Sequence, residues 1–308
     1  MPPRALLAPL ALAALCACRA PAAVAPPPAP PPLAVPAPPP RPKVALVLGA
    51  GAARGFAHVG VIRALEQEQI PIDLVVGTSV GSLIGAIYAA DRNSFELEWT
   101  AFTLEKEALF DYGLLNAVRG MGAARGDKLE EFVRARVKQA NIEELKLPFA
   151  AVATDLNWGT RIVLDRGPVA RAVRASSAIP GIFQPVVIDG KLLVDGGVVD
   201  PIAIDVARAK GADVVVAVDI GEAVGNTDIK NLLDVSYQAV TIMSAVIASH
   251  ARSGADVVVT PAVGNIGMLD FTQKKRCMEL GIEAGRAAAP AIRKAMEAWV
   301  AARAQPRG

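Results

Sequence analysis

The sequence predicts an α/β domain of three layers over residues 43–304, with a mostly parallel central sheet covered by helices on both faces. Three observations carry this expectation. Short apolar runs alternate with stretches of helical periodicity through most of the chain, the pattern of βα units. The runs Lys43–Leu48, Ile72–Val76 and Asp213–Asp219 are apolar at nearly every position rather than every second one, as in parallel strands buried on both faces. The first two runs enclose a single helical stretch, which makes a βαβ unit of about 30 residues. The chain of 308 residues is 53% hydrophobic but only 5% aromatic, so Ala, Val, Leu and Ile must build the core. A net charge of +2 with no basic stripe gives no reason to expect nucleic acid as a partner.

Residues 1–42 differ in composition from the rest. In 1–18, Arg4 supplies a minimal positive start, and Ala5–Leu15 is an apolar run interrupted by Pro9 and too short to span a bilayer as a helix. The run ends at Leu15-Cys16-Ala17-Cys18. Leu at −3 and Ala at −1 before Cys18 resemble a bacterial lipoprotein signal, in which that cysteine is lipidated and becomes the mature N-terminus; Cys16 at −2 departs from the pattern. An ordinary cleaved signal and an uncleaved apolar N-terminus are the alternatives. Cleavage before Cys18 leaves Cys18 and Cys277, so an acylated Cys18 leaves no disulfide partner. Cys277 then reads as a plain helix residue. Residues 19–42 are rich in Pro and Ala and favour extended polyproline II, a semi-rigid spacer of roughly 3 Å per residue. A ligand for an SH3-type module is the competing reading. The expectation is an exported protein, anchored by lipid to the cell envelope on its periplasmic face.

The first strand ends in Gly49-Ala50-Gly51-Ala52-Ala53-Arg54-Gly55, and a helix follows over Ala57–Gln69 with Val59, Ile62 and Leu65 at helical spacing. Pro71 stops it. The second strand runs into Gly77-Thr78-Ser79-Val80-Gly81 and then a helical stretch, Ser82–Ala90. Residues 94–145 read as mostly helical, with Asp127 as N-cap of a helix from Lys128 and Glu130 three residues on. Strands follow at Phe149–Thr154 and Arg161–Leu164, and a helix at Val169–Ala178 is stopped by Pro180-Gly181. Val186–Ile188 and Lys191–Val194 bracket Asp189-Gly190, which has hairpin-turn chemistry. A helix over Ile202–Lys210, a strand at Asp213–Asp219 and a late strand at Asp256–Thr260 complete the alternation. Leu232–His250 and Lys274–Arg303 read as long helices, the second interrupted at Pro290.

Gly77-x-Ser79-x-Gly81 between a strand and a helix is the context in which a serine becomes a nucleophile: the glycines allow a sharp turn, and the helix N-terminus favours developing negative charge. Such a serine needs oxyanion donors and a base. The Gly49–Gly55 loop offers free N–H groups at a helix start, with Gly51 and Ala52 as leading donors and Arg54 as a structural clamp. A dinucleotide loop fits less well, since Arg54 stands where the third glycine belongs and no acidic residue ends the second strand. For the base there are two histidines. His250 sits in a long helical run, and His58 reads better as a packing residue bonded to a loop carbonyl. Asp195 closes an apolar strand and precedes Gly196-Gly197, which places its carboxylate at a strand end beside open space; Asp155 is a rival by position.

Taken together, Gly49-x-Gly51-x-x-Arg54-Gly55-x-x-His58-x-Gly60, Gly77-x-Ser79-x-Gly81 and Asp195-Gly196-Gly197 resemble the patatin-like phospholipase family, and its bacterial branch related to neuropathy target esterase in particular. The runs Ala151–Leu156, Ala175–Gly181 and Ala212–Asp219 add to the resemblance, which covers residues 43–300. It implies a patatin-like fold, a Ser79–Asp195 dyad, and oxyanion donors in the Gly49–Gly55 loop. It implies no metal and no cofactor. Ala50 and Ala52 stand where family members often carry glycine, and alanine demands more ordinary backbone angles. The leading expectation is a lipid acyl hydrolase acting on a phospholipid or other lipid ester. A non-catalytic lipid-binding envelope lipoprotein and a Ser-His-Asp esterase using His250 are the alternatives.

Overall fold

A computed structural model of the chain describes residues 41–111, 122–221, 224–225, 229, 232–267 and 269–304. The signal-like segment 1–18 with Cys18, and the Pro/Ala-rich stretch as far as residue 40, lie outside the described residues. In chain order come β1 (Val44–Leu48), α1 (Phe56–Gln67), β2 (Leu74–Thr78), α2 (Val80–Asp91), α3 (Ser94–Thr103), β3 (Gly122–Ala124), α4 (Asp127–Arg136), β4 (Phe149–Asp155) and β5 (Thr160–Leu164). They are followed by α5 (Val169–Ser176), β6 (Gly181–Phe183), β7 (Val186–Ile188), β8 (Lys191–Asp195), α6 (Ile204–Ala209), β9 (Val214–Val218), α7 (Leu232–Ala251), β10 (Val257–Val259) and α8 (Lys274–Ala304).

The main sheet has the order β10-β9-β1-β2-β4-β8-β7, with β5 also on β4. From β10 to β4 it is parallel throughout. β5, β8 and β7 join antiparallel. Each parallel strand sends alternate residues to opposite faces. Val44, Leu46 and Leu48 of β1 pack with residues of α1, α2, α3 and α8, whereas Ala45 and Val47 pack with Ile204, Val206 and Ala207 of α6 and Ala248 of α7. Those are the expected three layers. Asp189 and Gly190, at φ 49° and 75°, make the turn between β7 and β8 that the sequence announces.

Three expectations change. The stretch 94–145 is helical only in part: β3 pairs with β6 in a small second sheet that its short, glycine-containing strands conceal. Asp127 is the first residue of α4 rather than its cap. The capping is done from a distance, by Asp111, whose Oδ1 and Oδ2 accept from the Gly126 and Asp127 N–H groups at 2.7 and 2.9 Å. And α8 runs unbroken through Pro290. A proline inside a helix costs about 3 kcal/mol. Burial of Ala289 and Ile292 beside it, and the clamp between α1 and the first turns of α8, hold the helix together. In that clamp the two backbones nearly touch. A Cβ on Gly60 would lie 2.0 Å from the Met278 carbonyl, and one on Gly281 would lie 2.1 Å from the Ala57 carbonyl. Cys277 lies buried beside this contact, and burial pushes its thiol up to about 11, so it stays protonated and unreactive.

The crossing makes a test. Gly60→Val should force α1 and α8 apart and cost about 3 kcal/mol or more. Chemical unfolding reads this directly, and a variant within experimental error of the parent would show that the helices do not cross at backbone contact.

Candidate active site

The loops after β1, β2 and β9 all leave the same edge of the sheet, since these strands are parallel. The site is built there. β2 ends at Thr78, and Ser79 takes φ 57° and ψ −125° before α2 begins. A non-glycine residue held in that region costs on the order of 1–3 kcal/mol. Its neighbours hold it there. The Ser79 N–H donates to Ser176 Oγ at 3.0 Å, and the Ser176 hydroxyl donates to the Val152 carbonyl at 2.6 Å. The Ser79 carbonyl accepts from the Ser82 N–H and hydroxyl at 2.8 and 2.7 Å. The turn is tight enough that a Cβ on Gly77 would sit 2.4 Å from the Gly81 carbonyl, and one on Gly81 would sit 2.1 Å from the Leu48 carbonyl. Both glycines of the motif are therefore steric necessities.

Asp195 reaches the same place from the other direction. The sequence reading places its carboxylate at a strand end beside open space. β8 is antiparallel, and register does the placing. Thr78 is level with Val152, so Ser79 is level with Ala153, the partner of Asp195. The two side chains meet across β4: the Ser79 hydroxyl donates to Asp195 Oδ2 at 2.5 Å. Oδ1 accepts from the Gly197 N–H at 2.7 Å. The Asp195 N–H and carbonyl are bonded to the Ala178 carbonyl and the Thr154 hydroxyl. Gly196 packs against the Val152 carbonyl and the Thr78 methyl. Burial pushes the Asp195 carboxyl up to about 6, against the opposing pull of the Ser79 and Gly197 hydrogen bonds.

The Gly49–Gly55 loop closes over this pair. Gly49 and Ala50 N–H donate to the Val218 and Pro201 carbonyls. A Cβ on Gly55 would overlap Val80, the residue after Ser79, and one on Gly197 would touch the Ala50 methyl. Ala52 opens a short 3-10 helix at φ 50°. Alanine thus occupies the left-handed conformation that glycine would take without strain. A helix start leaves its first N–H groups without acceptors in the helix, and Gly51 and Ala52 line the cavity beside Ser79. His58 is buried, and its Nε2–H donates to the Gly49 carbonyl at 2.8 Å. Burial lowers its pKa to about 4, so it is neutral and tied to the loop, away from Ser79 Oγ. Arg54 is buried too and donates to the Ile266 carbonyl, linking the loop to the segment after β10. Asp155 accepts from the Asn157 N–H and His250 is exposed, bonded to the Val246 carbonyl of its own helix; neither lines the cavity.

The cavity holds about 520 Å³. Ser79, Asp195, Gly51 and Ala52 form one wall, and Val240, Thr241, Ser244, Ala245 and Ala248 of α7 form another. Ser244 donates to the Gly197 carbonyl at 2.8 Å. At the end of β9, buried Asp219 accepts from Arg252 Nε at 2.6 Å, and both residues line the cavity. Ser176, Ser244 and the Asp219–Arg252 pair are site residues that sequence reasoning missed. Ser176 and Asp219 lie in runs noticed for their resemblance alone; nothing local signals Ser244 or Arg252. Among the described residues no cluster of His, Cys, Asp and Glu is arranged to hold a metal ion.

A family model described as patatin-like phospholipase matches residues 46–208. An uncharacterized NTE family protein of Mycobacterium tuberculosis is 39% identical over 173 residues, which cover 56% of this chain and 47% of that protein. Lysophospholipase NTE1 of Mycosarcoma maydis is 37% identical over 175 residues, covering 56% of this chain and 9% of that protein. The chain thus spans about half the length of the mycobacterial relative it matches. Among solved structures, VipD from Legionella pneumophila is similar with a TM-score of 0.54 at 15% identity, over 82% of this chain and 67% of that one, a likeness of fold.

The buried carboxylate carries a cost that can be measured. Its folded pKa of about 6 lies above the ordinary value of 3.8, so the fold favours the protonated form. The contribution of Asp195 to stability is therefore greatest below pH 3.8, falls as pH rises to about 6, and stays at the lower level beyond. Asp195→Asn, which keeps the shape without the charge, should stabilise the protein at pH 8 by on the order of 1–3 kcal/mol and remove this slope. A variant less stable than the parent at pH 8 would show that the carboxylate is not held against its desolvation.

Proposed function

Because the chain belongs to the patatin-like phospholipase family, we propose that it is a lipid acyl hydrolase in which Ser79 and Asp195 act as a two-residue catalytic unit. The observation that carries the reading is the 2.5 Å hydrogen bond from the Ser79 hydroxyl to Asp195 Oδ2. Ser79 Oγ attacks the ester carbonyl carbon while its proton passes to Asp195. The carbonyl oxygen becomes an oxyanion, stabilised by the N–H groups of Gly51 and Ala52. The bond to the alcohol breaks as Asp195 returns the proton to it, leaving an acyl group on Ser79. Water attacks that acyl group, gives a proton to Asp195, and the fatty acid leaves as Ser79 recovers it. The apolar part of the cavity takes the acyl chain, and a phospholipid or other lipid ester is the substrate class. At neutral pH a carboxyl with a pKa of about 6 is ionised and still basic enough to accept the proton.

Ser79→Ala should lower ester hydrolysis by at least ~10³-fold and abolish labelling by a fluorophosphonate probe. Undiminished labelling of that variant overturns the assignment of the nucleophile. In the parent, kcat/KM should be level above pH 7 and fall about tenfold per unit below a pKa of about 6, as Asp195 takes up a proton. A profile flat down to pH 4 would remove Asp195 as the base.

The N-terminus supports a setting for this activity. Residues 1–18 resemble a lipoprotein signal, with Cys18 as the acylated residue and residues 19–42 as the spacer that lets the domain stand off a membrane surface at the periplasmic face. Labelled palmitate should be incorporated by the parent and not by Cys18→Ala; equal incorporation by both excludes this anchor.

A further inference from the structure

Helix α7 presents apolar side chains on both of its faces. Val240, Thr241, Ser244, Ala245 and Ala248 line the cavity that holds Ser79. Val235, Ile242, Met243 and Val246 stand in solvent, between 43% and 54% exposed. At 100° per residue the two sets centre on roughly opposite sides of the helix. Residues 235–249 carry no charged side chain, and the uncharged stretch ends at His250 and Arg252. Arg252 lines the cavity, and its guanidinium is held there by buried Asp219. An uncharged apolar face of this kind beside a cavity mouth is a candidate contact surface.

We infer that the outward face of α7 docks on a phospholipid surface. The inference rests on the proposed lipid substrate and adds where the domain meets it. Two features of the surface select this occupant. The outward side chains offer on the order of 300 Å² of apolar area, well under the roughly 800 Å² per partner that a stable protein dimer uses. A lipid surface instead takes apolar side chains one by one, each stabilising by its own buried area. The face is also continuous, through a single helix, with the wall of the cavity an acyl chain has to enter. Among the described residues no helix is long and apolar enough to cross a membrane; the geometry is that of a helix lying along the surface, its axis in the plane of the head groups.

The test uses the full chain with Cys18→Ala, so that no acyl anchor supplies binding, and with Ser79→Ala, so that vesicles are not consumed. Met243→Glu with Val246→Glu keeps helix-forming residues at exposed positions and puts charge on the face. Sedimentation with phosphatidylcholine vesicles should show binding by the parent and at least about tenfold weaker binding by the double variant. With Ser79 restored, hydrolysis of a soluble short-chain ester should be unchanged while hydrolysis of vesicle lipid falls by a similar factor. Equal vesicle binding by both proteins overturns the inference. So does a dimer of the parent, seen by light scattering, that the double variant dissociates without change in vesicle binding, since that gives the face to a second copy. A large drop in melting temperature with vesicle binding unchanged overturns it as well, by giving the face to a segment of this chain. A parent that binds vesicles but cleaves no ester supports the docking and defeats the proposed reaction; a parent that cleaves soluble esters but never binds vesicles does the reverse.

Discussion

The hydrogen bond from Ser79 to Asp195 sets the terms for everything around it, because it buries a carboxylate. Both residues are almost fully shielded from solvent. A carboxylate in such a place is tolerated only when its oxygens are occupied, and here one is held by the serine and the other by the Gly197 N–H. Those partners come from different strands, so the register between β2, β4 and β8 has to be correct to a single residue. A slip of one position along β8 would turn the carboxylate to the other face of the sheet. The long-range bonds that pin this level, Ser176 to Val152 and Thr154 to the Asp195 carbonyl, are the fold's means of preventing the slip.

The loops carry strain that this framework offsets. Ser79 and Ala52 both hold positive φ without being glycine. Each conformation costs free energy, and each lies beside the cavity, where turning a hydroxyl outward and pointing amides inward requires a sharp bend. Rigidity comes from contact between the two bends. Gly55 admits Val80, and Gly81 admits the Leu48 carbonyl, so the loop after β1 and the turn after β2 interlock at backbone distance. The His58 ring fixes the Gly49 carbonyl from behind. Its value to the site is positional, and its lowered pKa follows from being buried for that purpose.

What the sequence could disclose is what is encoded locally. Gly77-x-Ser79-x-Gly81 constrains its own turn, and the apolar runs of β1, β2 and β9 betray burial on both faces, so the nucleophile candidate and the layered fold were both legible. The Asp189-Gly190 turn was legible for the same reason. Asp195 was picked out because it closes an apolar strand before Gly196-Gly197; the structure brings its carboxylate to Ser79 through the register of an antiparallel strand. Pairings between distant segments left no local trace. Asp111 capping α4, the β3–β6 sheet and Ser176 holding the Ser79 amide each depend on tertiary contacts. Pro290 misled in the opposite sense: its local cost is real, and packing of α8 on α1 outweighs it.

On the proposed reaction the site needs no histidine, for a physical reason. An imidazole has an ordinary pKa of about 6.5, which suits a base at neutral pH, but a neutral ring has two tautomers and needs a third group to hold the right one. Asp195 reaches a pKa of about 6 by desolvation alone. A carboxylate has no tautomer to select, and the Gly197 N–H together with the β8 backbone already fixes its orientation. On the proposed reaction, burial therefore converts an aspartate into a base of nearly imidazole strength, and two residues do the work for which a triad uses three. The same burial weakens the folded state above pH 6, so basicity and stability are set against each other at this one side chain. A more exposed carboxylate would spare the fold but return toward its ordinary value and accept the serine proton less well.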